Sequence, residues 1–145
     1  LRCAFAVCDK ALASVLNKLR QPFNVNLLAQ AAVVAAMSDG HWPRAMAKKN
    51  RLEKQFLRKG IEGLGFRVVP SQANFLLVLA PGSRGLQAAS GKSASRMADL
   101  LAARNIWVRD TTSFGIPGAI RVTVGKRAEN VRLLRAMEKI LRGAA

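Results

Sequence analysis

The fold is decided by two short stretches near the end of the chain, Ile106-Trp107-Val108-Arg109 and Ile120-Arg121-Val122-Thr123-Val124. Apolar and polar side chains alternate along both, which predicts two β-strands with one buried face. If the strands are neighbours in one sheet, Arg109 and Arg121 project from the same face. Two adjacent guanidinium groups repel each other unless an anion or water separates them, so the spacing leaves an anion site and two exposed arginines as equal alternatives.

The residues around this pair predict a small domain. Two further strands are expected over Phe66 to Val69 and Asn74 to Leu79, on either side of a turn. A helix is expected from about Ala94 to Arg104. A last amphipathic helix has an apolar stripe of Val131, Leu134, Met137 and Leu141. This order of elements predicts a mainly antiparallel sheet with helices packed on one face.

The N-terminal part predicts one strand and two helices. Residues 2–8 are continuously apolar after the first arginine, as in a short strand that is covered on both faces of a parallel sheet. Asp9 is the expected N-cap of the helix that follows. Residues 21–26 end that helix, because proline removes a backbone donor and restricts the residue before it. A second apolar helix is expected to run to about Met37.

A long helix rich in basic residues is predicted next. It has Pro43 in its first turn and ends near Gly63, where a Gly-Leu-Gly sequence follows. The composition changes after this helix from helical patterns to short strands. We therefore expect three segments, which are residues 1–40, a connecting helix over residues 41–64 and a small domain over residues 65–145.

Charge is the strongest compositional signal. The chain has 24 Lys and Arg residues against 8 Asp and Glu residues, which gives a formal net charge of +16. Such a charge is typical of proteins with anionic partners, but here the basic residues are scattered along predicted helices, where they would form solvated faces. Tyrosine is absent and no aromatic residues alternate with the basic ones, which disfavours nucleic-acid binding. A non-catalytic polyanion-binding module remains an alternative.

Other chemical motifs are weak. His41 is the only histidine, so the usual metal-ligand spacings are missing, and we interpret it as a loop residue near a helix start. Cys3 and Cys8 would lie roughly 16 Å apart in a strand and cannot bridge each other. Residues 85–93 resemble a phosphate-binding loop, but five residues rather than four separate the two glycines, so we expect a surface loop there. No apolar stretch has the length of a membrane span, and a soluble cytoplasmic protein is the expectation.

Four stretches in the same order resemble histidinol-phosphate aminotransferases, a family of class II pyridoxal-phosphate-dependent aminotransferases. The stretches are Arg20-Gln21-Pro22-Phe23-Asn24-Val25-Asn26, Pro70-Ser71-Gln72-Ala73-Asn74-Phe75-Leu76-Leu77-Val78, Val108-Arg109 with Ser113-Phe114-Gly115-Ile116-Pro117, and Ile120-Arg121-Val122-Thr123-Val124-Gly125 with Glu129-Asn130 behind it. The resemblance implies an α/β fold, namely the C-terminal part of a fold-type I transferase. Residues 1–40 would end the large cofactor domain, and residues 65–145 would form a small α+β domain with a mainly antiparallel sheet.

The resemblance also implies a reaction. An amino group would move between L-glutamate and imidazole acetol phosphate to give histidinol phosphate, with pyridoxal 5'-phosphate as the cofactor, in a homodimer. The lysine that forms the Schiff base would lie upstream of Leu1, so we expect this fragment alone to be inactive. Lys126-Arg127 departs from the family pattern, because it places positive charge at the start of the last helix, where the helix dipole disfavours it.

Site residues follow from the same resemblance. Arg2 would bind the cofactor phosphate. Arg121 would bind the anionic group of the substrate, and Arg109 would support it, because a guanidinium fork suits carboxylate and phosphate groups. Asn24 lies in a loop expected near the dimer-shared active site, although a helix-capping role is an equal alternative for it.

The threonine-phosphate decarboxylases are the nearest alternative, since they share the Pro-Ser-x-Ala-Asn-Phe and Val-Arg-Asp segments. The stretches Pro22-Phe23-Asn24 and Ile120 to Gly125 favour the aminotransferase.

Overall fold

The computed structural model of the chain describes residues 3–81 and 91–143, and it describes residues 91–95 by their backbone alone. The chain divides into two compact units, Leu1–Ala47 and Lys48–Ala145. Most of the predicted surface loop over residues 85–93 lies outside the described residues, and the prediction is wrong for residues 91–93, which form the first turn of a helix. The predicted division into residues 1–40, 41–64 and 65–145 stays a prediction.

The first unit contains the two predicted helices, α1 (Lys10–Leu19) and α2 (Leu27–Ser38). Asp9 caps α1 as expected, because its Oδ1 accepts the backbone N–H of Leu12 at 2.9 Å. Asn26 caps α2 in the same way, with Oδ1 2.8 Å from the N of Ala29. Side-chain oxygens thus satisfy amides that have no partner within the helices.

The strand predicted over residues 2–8 is wrong for the part that is described. Residues 3–9 form neither helix nor strand. A strand exists only when a neighbour completes its ladder of hydrogen bonds, and the strands among the described residues all lie in the second unit. The apolar run alone does not supply such a neighbour.

The long helix α3 (Trp42–Gly63) confirms the predicted basic helix. Its start is fixed by Asp39, whose Oδ1 accepts the N–H groups of His41 and Trp42 at 2.9 Å each. His41 therefore lies in the turn before the helix, as predicted. The helix is followed by Gly65 with φ of +88°, a conformation that glycine adopts without steric cost.

The second unit contains a four-stranded antiparallel sheet. Its strands are β1 (Arg67–Val69), β2 (Phe75–Leu79), β3 (Arg109–Asp110) and β4 (Ala119–Thr123), in the spatial order β1-β2-β4-β3. The helices α4 (Gly91–Ala102) and α5 (Arg127–Leu141) complete the unit. The antiparallel sheet predicted from the element order is confirmed.

The core of this unit lies between the sheet and its helices. The strands contribute Val68, Leu76, Val78, Ile120 and Val122, and the helices contribute Leu57, Ile61, Met97, Leu101, Leu133, Ala136 and Met137. Burial of these apolar side chains is the main stabilising contribution. Because one sheet face supplies the core, the alternate residues of each strand lie on the other face.

Strand β3 is shorter than predicted. Only Arg109 and Asp110 pair with β4, whereas residues 106–108 form no ladder. The backbone N–H of Ile106 instead donates to the carbonyl of Leu101 at 3.0 Å, which ends α4. The predicted alternation still holds, since Ile106 and Val108 pack against the core and Trp107 is 82% exposed.

The predicted apolar stripe of α5 is partly wrong. The buried residues of the helix are Asn130, Leu133, Ala136 and Met137, and Leu141 is 47% exposed. Val131 and Leu134 are half-buried. The apolar pattern predicts a different face because one position of the buried face is Asn130, a polar residue that a pattern of apolar residues leaves out.

Candidate anion-binding site

The two arginines singled out by the sequence are direct neighbours in the sheet. Arg109 in β3 pairs with Arg121 in β4, so both project from the same face, as predicted. The residues on either side of Arg121, Ile120 and Val122, belong to the core on the opposite face. The pair therefore lies on the sheet face opposite the one that packs against the core of the second unit.

An open cleft of about 860 Å³ surrounds this pair. We call it the arginine cleft, and it is lined by Trp107, Val108, Arg109, Asp110, Thr112, Ser113, Arg121 and Thr123. Arg109 is exposed and Arg121 is half-buried. The lining residues carry two guanidinium groups, one carboxylate and three hydroxyl groups.

The guanidinium of Arg121 lies over the ring of Phe75, with Cζ 5.2 Å from the ring centroid. Phe75 pairs with Thr123 in the register of β2 and β4, which makes Arg121 its diagonal neighbour. A cation over an aromatic face is attracted by the ring quadrupole. The contact therefore restrains the side chain of Arg121.

The loop after β3 is fixed from within by Thr111, which is 4% exposed. Its hydroxyl oxygen lies 2.7 Å from the carbonyl oxygen of Ile116 and 2.9 Å from that of Ala119, and its single hydrogen is shared between these two acceptors. Asp110 accepts the N–H of Thr112 through Oδ1 at 2.6 Å. These bonds hold the hydroxyl groups of Thr112 and Ser113 at the cleft.

The charge balance of the cleft suits an anion. Its lining has two arginines against one acid, Asp110, whose carboxylate already accepts a backbone amide. Bidentate hydrogen bonds from guanidinium to carboxylate or phosphate are among the stronger ones in proteins. The lining contains no lysine, so these residues can bind an anionic group but cannot form an imine.

The other two predicted site residues, Arg2 and Asn24, belong to the first unit. Arg2 lies outside the described residues. Asn24 is an exposed residue of the first unit, in the segment between α1 and α2. The helix-capping alternative for Asn24 is wrong, because Asn26 caps α2. A role for Asn24 in substrate binding stays a prediction.

A hydrogen-bonded network behind β4 was missed by the sequence reasoning. Asn130 is 2% exposed; its Oδ1 accepts the N–H of Gly125, and its Nδ2 donates to the carbonyl of Gly125 and to Glu53, each at 3.0 Å. Arg127 pairs with Glu53 through Nη2 at 3.0 Å. The network joins α3, the end of β4 and α5. Its signal in the sequence was the Glu129-Asn130 pair, which carried the resemblance without a stated role.

The same network explains the positive charge at the start of α5. The Oε2 of Glu129 accepts the N–H of Lys126 at 2.6 Å, and Arg127 is neutralised by Glu53. The hydrogen bond from Arg127 holds the pKa of the Glu53 carboxyl below its usual value. Desolvation acts in the opposite direction and raises this pKa, whereas the hydrogen bond from Asn130 lowers it further. Glu53 thus offsets the charge of Arg127, and Glu129 adds a negative charge to the first turn, where the helix dipole favours it.

Two further observations hold for the part of the chain that the structure describes. No group of three or more His, Cys, Asp or Glu residues is arranged there to hold a metal ion. None of the described helices combines the length and the apolar character needed to cross a membrane.

Comparison with known proteins defines the class. Residues 1–137 match the family of class I and II aminotransferases, and the chain belongs to that family. Its α/β architecture with a small antiparallel sheet agrees with that of part of a fold-type I pyridoxal-phosphate transferase.

Within this family the chain is similar to histidinol-phosphate aminotransferases. Histidinol-phosphate aminotransferase 2 of Pseudomonas fluorescens is 36% identical over 141 residues, which are 97% of this chain and 35% of the relative. The Maricaulis maris enzyme is 35% identical over 98% of this chain and 38% of its own length. The chain thus spans little more than a third of the length of these relatives.

A solved structure shows the same fold. Histidinol-phosphate aminotransferase from Sinorhizobium meliloti, in complex with pyridoxal-5'-phosphate, superposes with a TM-score of 0.75 at 23% identity. The match covers 93% of this chain and 35% of that chain.

Proposed function

We propose that the chain is part of a pyridoxal-phosphate-dependent aminotransferase that moves an amino group between L-glutamate and imidazole acetol phosphate to give histidinol phosphate. Arg121 binds an anionic group in each substrate, which is a carboxylate in glutamate and the phosphate in imidazole acetol phosphate. Arg109 binds beside it. The observation that carries the proposal is the direct pairing of the two arginines in an open, hydroxyl-lined cleft.

An anion between the two guanidinium groups removes their mutual repulsion. Each guanidinium offers a planar fork of N–H donors that matches two oxygens of a carboxylate or phosphate. The ring of Phe75 lies 5.2 Å from Cζ of Arg121, and Arg121 lines the cleft, where its donors can meet an anion. Thr112 and Ser113 add neutral donors that serve either anion.

The cofactor is proposed from the family and from the solved relative that contains it. When bound, pyridoxal phosphate would supply the electron sink for the reaction. The arginine cleft does not fit this cofactor by itself, because its lining has no lysine. Arg2, the expected ligand of the cofactor phosphate, lies outside the described residues. The upstream lysine, the homodimer, the cytoplasmic location and the inactivity of the fragment alone stay predictions.

The test is an assay of the complete protein that carries this chain. We expect glutamate-dependent formation of histidinol phosphate, with kcat/KM about 100-fold lower in Arg121→Ala, because a charged, bidentate contact is lost. Arg121→Lys should recover only part of this loss, since an ammonium cannot donate two parallel bonds. Arg51→Ala, which removes an exposed arginine of α3, is the matched control and should stay within about twofold of the parent.

Two outcomes contradict the proposal. One is full activity of Arg121→Ala. The other is release of carbon dioxide from threonine phosphate without formation of 2-oxoglutarate from glutamate, which would assign the protein to the decarboxylase branch.

A further inference from the structure

Lys54 reaches from α3 to the turn between β1 and β2. Its Nζ lies 2.7 Å from the carbonyl oxygen of Ser71 and 3.0 Å from that of Ala73, in a half-buried environment. An ammonium donates strong hydrogen bonds to carbonyl oxygens. Lys54 therefore fixes two carbonyls of one turn from a different element of the fold.

The same turn is linked to the first residue of β2. The hydroxyl of Ser71 donates to the carbonyl of Phe75 at 2.7 Å and accepts the N–H of Ala73 at 3.1 Å. The carbonyl of Asn74 accepts the N–H of Val124 at 2.9 Å, which joins the turn to the end of β4. The backbone position of Phe75 is thus set by the turn that Lys54 holds.

Phe75 is the residue whose ring supports the Arg121 guanidinium, at 5.2 Å. Lys54 itself does not line the arginine cleft. We infer that Lys54 is a positioning residue, which prepares Arg121 for an anion through the turn at Ser71 and the ring of Phe75. The inference rests on the proposed function, because it assumes that Arg121 binds an anion.

The experiment measures binding of inorganic phosphate to the full chain. The chain has two tryptophans, and Trp107 lines the cleft. With Trp42→Phe as the parent background, Trp107 emission reports binding at the cleft, and calorimetry gives the dissociation constant. The variants are Lys54→Met, Lys54→Arg and Arg121→Ala.

Lys59→Met is the matched control. Lys59 is an exposed residue of the same helix, and its replacement removes the same charge. A general loss of attraction between the basic chain and phosphate would therefore appear equally in Lys59→Met and Lys54→Met.

We expect Lys54→Met to weaken phosphate binding about fivefold, since residues of one hydrogen-bonded network are energetically coupled. Lys59→Met should bind like the parent. Lys54→Arg should recover most of the affinity, because a guanidinium can still donate to both turn carbonyls. If Lys54→Met loses its thermal transition, Ser71→Ala carries the test with the same expected fivefold loss.

The inference is overturned if Lys54→Met lowers the thermal midpoint while its phosphate affinity stays that of the parent, or if Lys59→Met weakens binding as much. It is also overturned if Lys54→Arg stays as weak as Lys54→Met. A parent chain without saturable binding, or Arg121→Ala with parental affinity, contradicts the proposed function instead and removes the premise of the inference.

Discussion

At the scale of single residues, Arg109 and Arg121 were accessible to sequence reasoning because strand alternation fixes which side chains share a face. The roles of Lys54 and Asn130 could not be predicted in this way. The carbonyls that Lys54 binds lie 17 and 19 residues away in the chain, and Glu53 lies 77 residues from Asn130. A hydrogen bond between distant segments leaves no local pattern. The role of Phe75 was hidden for the same reason, although the residue stood inside a recognised stretch.

The ion pair of Glu53 should make the stability of the second unit depend on pH. Its native pKa is lowered by the hydrogen bond from Arg127, so the carboxylate contributes stability that is fully present above pH 4.5, its ordinary pKa. That contribution is lost as the pH falls through the lowered native pKa. Urea unfolding of the full chain should show Glu53→Gln losing less stability than the parent between about pH 6 and about pH 3.

Equal losses of unfolding free energy in Glu53→Gln and the parent over this pH range would contradict the assignment. They would mean that other carboxylates account for the whole loss of stability at low pH.

At the scale of elements, the helices were predicted more accurately than the strands. Caps such as Asp9 and breakers such as Pro22 act locally, so α1 to α3 could be located from the sequence. The segment over residues 2–8 and strand β3 were misjudged, because the extent of a strand depends on the ladder offered by its neighbour.

Helices α3 and α5 approach each other closely at Gly60. A Cβ atom on Gly60 would lie 2.4 Å from Cδ1 and 2.8 Å from Cδ2 of Leu134. Gly60→Ala should lower the free energy of unfolding by about 1 kcal/mol, because the overlap outweighs the gain in helix propensity. Denaturant unfolding measures this change.

Gly63→Ala is the matched control, since nothing lies within 4 Å of the corresponding Cβ position at the end of the same helix. It should be neutral or stabilise by up to about 1 kcal/mol. In a Leu134→Ala background the overlapping carbon atoms are absent, so Gly60→Ala should no longer lower the free energy of unfolding. A Gly60→Ala variant as stable as Gly63→Ala would show that the helices separate without cost.

At the scale of the whole molecule, the two units differ in how much they bury. The core cluster belongs entirely to the second unit, between Leu57 and Met137. Among the described residues of the first unit only Ala29 is buried, and the large apolar side chains of α1 and α2 are exposed, including Leu12, Leu16, Leu27, Leu28 and Val34. Stability should therefore reside in the second unit.

A chain that begins at His41 keeps α3 intact and should still unfold cooperatively. Because it retains the whole core cluster, we expect its thermal midpoint within about 5 °C of that of the full chain. Circular dichroism of the two chains makes the comparison. Loss of the cooperative transition on truncation would show that residues 3–40 contribute to the stability of the second unit.

The proposed binding of the substrate's anionic group by Arg109 and Arg121 can be observed in a crystal structure of the complete protein with histidinol phosphate bound. We expect oxygens of the ligand anion at about 2.7–3.1 Å from the guanidinium of Arg121, with Arg109 beside it. A ligand whose anionic groups are held by other residues, with Arg121 in contact with none of them, would exclude this role for the arginine pair.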